Sequence, residues 1–400
     1  DPVFSPDGRW IAFYTPRDGK PANMRDLHLA PATGGPGRNL TRTLDRAVRA
    51  QWMSGGDLLL VGPDGTRAAA WILAPTTGVI RRIPLGDVVD VSGVAVGKQG
   101  TIAFVGSGRN HPDELYVVED GAPAPRPLTR ANENIAALSL GRTEGMQWAS
   151  TDGHKPDGVV TYPPDFASGK RYPLVLLVHG GPTGSSLEGF AARAQLMAAQ
   201  GWIVLQPNYR GSDNLGNAFQ AAIATNPGDG IGADVMGGVR ALIRRGIVDT
   251  TRMAVSGWSF GGYVSAWMLG HYNVWRAAVV GAAATDFFDM YALTDLNVQL
   301  RHALAQSPYT GGREAYFRAQ SPLTYATRIR APTLILHDVY DQRVVIGQSY
   351  KLYHALKDNG VPTEFVAYPI AAHSPGDPVR SRDVSRRWIE WISRQFNQVQ

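Results

Sequence analysis

The chain has 400 residues and no cysteine, so disulfides and thiolate metal sites are excluded, and its length predicts two domains rather than one core. Its 39 Lys and Arg against 34 Asp and Glu give a formal charge of +5 without a run of like charges, which argues against a nucleic-acid partner. The pI of about 9.4 leaves acidic ligands open, and the longest apolar segment, residues 277–284, is far short of the ~20 residues of a membrane span.

The first part of the chain repeats itself. Phe4-Ser5-Pro6-Asp7-Gly8 leading into Trp10-Ile11-Ala12-Phe13 is echoed by Trp52-Met53-Ser54-Gly55-Gly56-Asp57-Leu58-Leu59-Leu60, and again by residues 94–104 around Gly97 and Gly100. Each is a glycine-centred hairpin between β-rich runs, and each is followed by a further pair of short strands. A period of roughly 45 residues with four strands per unit is the signature of propeller blades. Three such units fall within residues 1–145, whereas propellers close with about 4–8. Because the chain also opens without methionine, on what reads as the interior of a domain, it is expected to be the carboxyl-terminal portion of a longer protein, or to have its other blades supplied separately. The alternative is an independent open sheet. Residues 93–99 imitate a phosphate loop but lack its Ser or Thr, and belong with the third blade.

From about Met146 the pattern changes. Buried strands over residues 174–178, 203–206, 253–256, 277–283 and 333–337 alternate with helices over 187–200, 232–245 and 384–396. Such alternation implies an α/β domain, over 146–400, with a mainly parallel, doubly wound sheet whose site lies beyond the carboxyl ends of its strands.

Within that domain, Met253-Ala254-Val255 runs into Gly257-Trp258-Ser259-Phe260-Gly261 and a helical stretch. A G-x-S-x-G step between strand and helix forces the serine into a strained bend and exposes its hydroxyl, as acyl transfer requires. A serine hydroxyl is a poor nucleophile at neutral pH, so a histidine base and an orienting acid should follow it. Beyond the strand that ends at His337, one loop offers two carboxylates, Asp341 and its rival Asp338. Only two histidines come later. His354 sits within a helical pattern, whereas His373 lies in a loop after the strand-like Glu364-Phe365-Val366-Ala367-Tyr368, where a base could work.

Together these segments resemble the prolyl oligopeptidase family of serine peptidases, in which a β-propeller precedes an α/β-hydrolase domain. The resemblance spans nearly the whole chain. It rests on the Phe-Ser-Pro-Asp-Gly type repeats, Ser150-Thr151-Asp152-Gly153, His179-Gly180-Gly181-Pro182, Asn208-Tyr209-Arg210-Gly211-Ser212, residues 257–263, and the loops around Asp341 and His373. It implies Ser259 as nucleophile, Asp341 as acid and His373 as base, with backbone N–H groups of Phe260 and Gly180 forming the oxyanion hole. His179 stands where the prolyl-specific and dipeptidyl-cleaving branches carry a tyrosine, and so resembles the acylaminoacyl-peptidase branch. Phe287, Phe288 and Tyr291 match the segment that builds the pocket before the cleaved bond, although aromatic packing beneath the propeller explains them nearly as well. Arg343 is either a substrate-carbonyl ligand or a solvated loop residue.

Two departures stand out. The family commonly carries glycine where this chain has Asp338, and no Glu-Glu pair, which dipeptidyl branches use to hold a free amino terminus, occurs in the sequence. The expected activity is a serine peptidase acting on short peptides, acylaminoacyl-peptidase-like. The alternatives are a dipeptidyl aminopeptidase, isopeptidase or esterase of the same fold, and, from another class, a non-catalytic propeller scaffold. Peptides are the expected partners, joined by either a second copy of the chain or the missing blades. No metal, cofactor or membrane is expected, and a soluble protein of cytoplasm or periplasm follows.

Overall fold

The computed structural model describes residues 2–398 apart from Asp120, Thr225, Ala305 and Pro375. Three antiparallel sheets of four strands each come first, every sheet made of strands adjacent in sequence. Their inner strands are Trp10–Pro16 with Arg25–Pro31, Leu58–Asp64 with Arg67–Leu73, and Ile102–Ser107 with Glu114–Val118, the last sheet having Asp90–Val96 at one edge. Alternation along the middle sheet explains how they stack. Leu58 and Leu60 point into a cluster shared with Leu27 and Leu29 of the first sheet, while Leu59 and Val61 point into one shared with Ile102 and Phe104 of the third. Residues 93–99 sit in the hairpin of the third sheet, where Gly97 N–H donates to Thr101 O.

An eight-stranded sheet follows. We number its strands β1 (Thr143–Gln147), β2 (Asp157–Thr161), β3 (Tyr172–Val178), β4 (Ile203–Asn208), β5 (Val248–Trp258), β6 (Ala277–Gly281), β7 (Thr333–Asp338) and β8 (Thr363–Tyr368). Their spatial order is β1-β2-β4-β3-β5-β6-β7-β8, with β2 antiparallel to both of its neighbours and the remaining pairs parallel. All residues of β4, β6 and β7 are buried, as a sheet covered on both faces demands.

Helices supply the cover. On one face lie α2 (Asp229–Arg244), α3 (Phe260–His271) and α6 (Gly347–Asp358); on the other lie α1 (Ala192–Ala198) and α7 (Pro378–Asn397), whose Val384, Trp388 and Ile392 recur at helical spacing. Two shorter helices, α4 (Phe287–Leu293) and α5 (Asn297–Ala303), follow β6 beyond the edge of the sheet. Among the described residues no helix is long and apolar enough to cross a membrane.

The expected helix over 187–200 is shortened to α1. Tertiary contacts override its first turns: Leu187 packs on the third-sheet cluster, Glu188 accepts a hydrogen bond from Thr66 Oγ1 at 2.7 Å, and Phe190 N–H donates to Ser107 Oγ. Polar bonds tie the small sheets to the large domain elsewhere as well. Gly65 and Asn214 exchange backbone and side-chain bonds at 3.1 Å, and Asn217 bridges Met24 and Asp45.

Candidate active site

Parallel strands of a twisted sheet deliver their carboxyl ends to one edge, and the loops there carry the site. Ser259 directly follows β5, at φ 60° and ψ −122°, a conformation that a non-glycine residue adopts only under constraint. The flanking glycines let the elbow close. A Cβ on Gly257 would lie 2.4 Å from Gly261 O, and one on Gly261 would lie 2.2 Å from Val178 O.

His373 comes from the loop after β8 and Asp341 from the loop after β7. Nδ1 of His373 lies 2.6 Å from Asp341 Oδ2, and Nε2 lies 2.6 Å from Ser259 Oγ. A carboxylate only accepts, so the proton sits on Nδ1 and the bare Nε2 faces the serine hydroxyl, which is the tautomer a general base needs. Burial pushes the Asp341 carboxyl up, but the neighbouring His337 imidazole at 3.5 Å and hydrogen bonds from His373 and from the Val344 N–H more than offset it and hold it well below the usual carboxylate range.

Supporting groups fix these three. His337, at the end of β7, is fully buried; its Nε2–H donates to Val344 O at 2.8 Å and its Nδ1 accepts from Ser349 Oγ on α6 at 2.6 Å. Trp258 Nε1–H donates to the carbonyl of His373 at 2.7 Å, anchoring the histidine loop to the elbow. Sequence reasoning overlooked both, although Trp258 is a variable position of the elbow motif itself. Asp338 is the neighbour of His337 on the opposite face of β7, where it touches neither Ser259 nor His373 by hydrogen bond. The choice between the two carboxylates therefore falls geometrically on Asp341.

Phe260 opens α3, so its N–H has no intrahelical acceptor. The loop after β3 lies alongside. A Cβ built on Gly180 would be 3.4 Å from Ser259 Cβ and 4.0 Å from Phe260 N. His179 does not face a substrate with a hydroxyl donor; its ring stacks on Tyr209 at 4.4 Å, contacts Gly180 O and Ser212 Oγ, and is held neutral by burial. Its role in the geometry is to lock the backbone of the 179–181 loop.

Beside Ser259 opens a cavity of about 360 Å³ lined by Phe260, Phe287, Met290, Leu300 and Val344 among others, and by Pro21 and Ala22 from the loop between strands Trp10–Pro16 and Arg25–Pro31. Phe287 is a wall residue, but Phe288 and Tyr291 are not. On α4 the pair 287 and 290 faces the cavity, which turns Phe288 onto Tyr309 and Tyr291 onto Tyr309 and Phe317. Of the two expectations for Phe288 and Tyr291, these contacts are those of aromatic packing, and neither residue lines the cavity. Arg343 lines the cavity while its guanidinium pairs with Asp295 at 3.0 Å. The wall from α5, Leu300 above all, carries no sequence motif and was not foreseen.

Comparison with known proteins points the same way. Dipeptidyl-peptidase 5 of Porphyromonas gingivalis is 29% identical over 98% of this chain, which spans 58% of that protein's length. An uncharacterized peptidase of Bacillus subtilis, YuxL, is 31% identical over 72% of this chain and 44% of its own. Pyrococcus horikoshii acylaminoacyl peptidase superposes over the whole chain with a TM-score of 0.87 at 23% identity, covering 64% of the solved chain. A puromycin-hydrolyzing peptidase of Mycobacterium tuberculosis does so with 0.83 at 18%, covering 70%. These structural likenesses establish the fold, an α/β-hydrolase sheet preceded by propeller-type sheets. The family model for prolyl oligopeptidases, peptidase family S9, matches residues 188–399, the stretch that holds the elbow and both loops, and the chain accordingly belongs to the prolyl oligopeptidase family.

Proposed function

We propose that the chain is a serine peptidase that cleaves short peptides through an acyl-enzyme on Ser259. The observation that carries this reading is the unbroken line Ser259 Oγ, His373 Nε2, His373 Nδ1, Asp341 Oδ2, with both contacts at 2.6 Å. The hydroxyl oxygen attacks the scissile carbonyl as Nε2 takes its proton, and the imidazolium is stabilised by the buried Asp341 carboxylate. The backbone N–H groups of Phe260 and Gly180 receive the oxyanion, an arrangement in which losing one donor costs ~10²–10³ in rate. His373 then returns the proton to the leaving amine, and water releases the acyl group by the same path reversed.

The cavity walls favour a large apolar side chain before the cleaved bond. In this reading residues 1–145 are part of a propeller, residues 146–400 the peptidase domain, and the propeller limits entry to small or unfolded chains. Its remaining blades, or a second copy of the chain, are the expected structural partners. Support for acylaminoacyl rather than dipeptidyl cleavage comes from His179 in the tyrosine position; support for the dipeptidyl alternative comes from the name of the P. gingivalis relative. Turnover of acyl-amino-acid amides against free-amino dipeptide amides separates them. Ser259→Ala should fold normally, lose fluorophosphonate labelling, and lower turnover by about 10⁴–10⁶-fold; retained turnover would reject the assignment.

A further inference from the structure

Asp338 ends β7 as a fully buried carboxyl, and both of its oxygens lack a hydrogen-bond partner among the described residues. Leu334 and Leu336, on the same face of the strand, belong to the apolar cluster beneath α7, so period-two alternation sends Asp338 toward that cluster as well. A solitary carboxylate there is costly, and buried carboxyls without partners are ordinarily held as the neutral acid. The charged groups around it are few. Those whose charge acts on it are Asp341 from its own loop, His337 from the opposite face of its own strand, His373 from the loop after β8, and Arg380 from the first turn of α7. Arg380 is directed to Asp377 at 3.5 Å, and Tyr368, the register partner on β8, is directed to Asp383 at 3.0 Å. None of these bonds Asp338. The chain therefore places two carboxyls three residues apart in one turn, joined by the Asp341 N–H to Asp338 O bond, with the His373 imidazole and the Val344 N–H given to Asp341 and no donor given to the Asp338 carboxyl.

From this placement, and resting on the peptidase reading above, we infer that Asp338 is a positioning residue that sets the pH at which His373 becomes a base, by holding a proton at low pH and adding a second negative charge near the imidazole when it releases it. The two carboxyls behave as a coupled pair in which Asp341 keeps the charge and Asp338 the proton. Burial first, and the Asp341 charge second, push the Asp338 carboxyl up to about 6, inside the range where a histidine base titrates. Once ionised, Asp338 stabilises the imidazolium and delays its deprotonation to higher pH. A glycine at this position, as the family commonly has, supplies no such charge.

The test is the pH profile of kcat/KM for wild type, Asp338→Asn and Asp338→Gly, with the imidazole of His373 followed by NMR in Ser259→Ala so that one readout needs no turnover. The expectation is an acid limb and an imidazole titration displaced to lower pH by about one unit in both variants, the size a nearby unit charge gives at an effective dielectric near 20. Stability supplies a second arm. A carboxyl whose folded pKa is raised costs stability as pH climbs from about 4 to about 6 and the cost persists above it, so Asp338→Asn should melt with wild type below pH 4 and a few degrees above it at pH 8. Coincident imidazole titrations in all three proteins would overturn the proposal. Loss of activity in Ser259→Ala with coincident profiles would leave the peptidase reading standing and remove this one alone.

Discussion

The small sheets and the large sheet use burial differently, and that difference explains why the chemistry gathers in one of them. In the eight-stranded sheet β4, β6 and β7 are buried on both faces, so each strand end is held from above and below. Asp341 leaves the fully buried β7 and Ser259 the buried end of β5, while His373 follows the half-buried β8 and is held by the Trp258 Nε1–H bond to its carbonyl; residues 114 positions apart at the extremes thereby share contacts of 2.6 Å. In the small sheets the outer strands are largely exposed, and contact with the large domain is made by Leu187 packing on the third sheet and by individual polar bonds at turns, such as those of Gly65, Thr66 and Met24. Rigid covered strands set the reacting atoms; polar tips set what stands over them.

The sharpest way to break this contrast is to alter a strand-end residue without touching the core. Asp341→Asn should keep the fold yet lower kcat by about 10⁴-fold, because the amide cannot hold His373 in the productive tautomer; stopped-flow acylation rates would show it, and near-normal rates would separate the strand-end geometry from catalysis. Next in size is the cavity. Leu300→Ala should reduce kcat/KM for substrates with a leucine or phenylalanine before the cleaved bond by about 10–100-fold while leaving alanine substrates nearly unchanged, as a substrate panel would reveal. The smallest effect belongs to the seam between the regions. Glu188, whose carboxylate receives Thr66 Oγ1 and Arg109, should on substitution by Gln cost about 1–3 kcal/mol in urea unfolding with turnover per folded molecule preserved. Should turnover collapse instead, the small sheets would be part of the reacting geometry and the contrast drawn here would fail.

Much of the fold could be read directly along the chain, since two-residue alternation and continuous apolar runs report local burial. The elbow was equally plain, because only glycine tolerates the 2.2–2.4 Å approaches around Ser259. What lay beyond reach were choices made by distant neighbours. The first turns of the expected helix over 187–200 were taken by blade contacts to Leu187 and Glu188. Phe288 and Tyr291 differ from Phe287 only in which way a two-turn helix happens to face.

Local sequence determined the strands, the strained serine turn, and the two loops that offer an acid and a base, because each depends on residues a few positions apart. Only the tertiary structure decided that Asp341 and not Asp338 meets the imidazole, that Leu300 walls the cavity, and that Trp258 anchors the histidine loop. Those outcomes depend on where parallel strands place their ends in space, and that placement is a property of the whole packed sheet rather than of any segment within it.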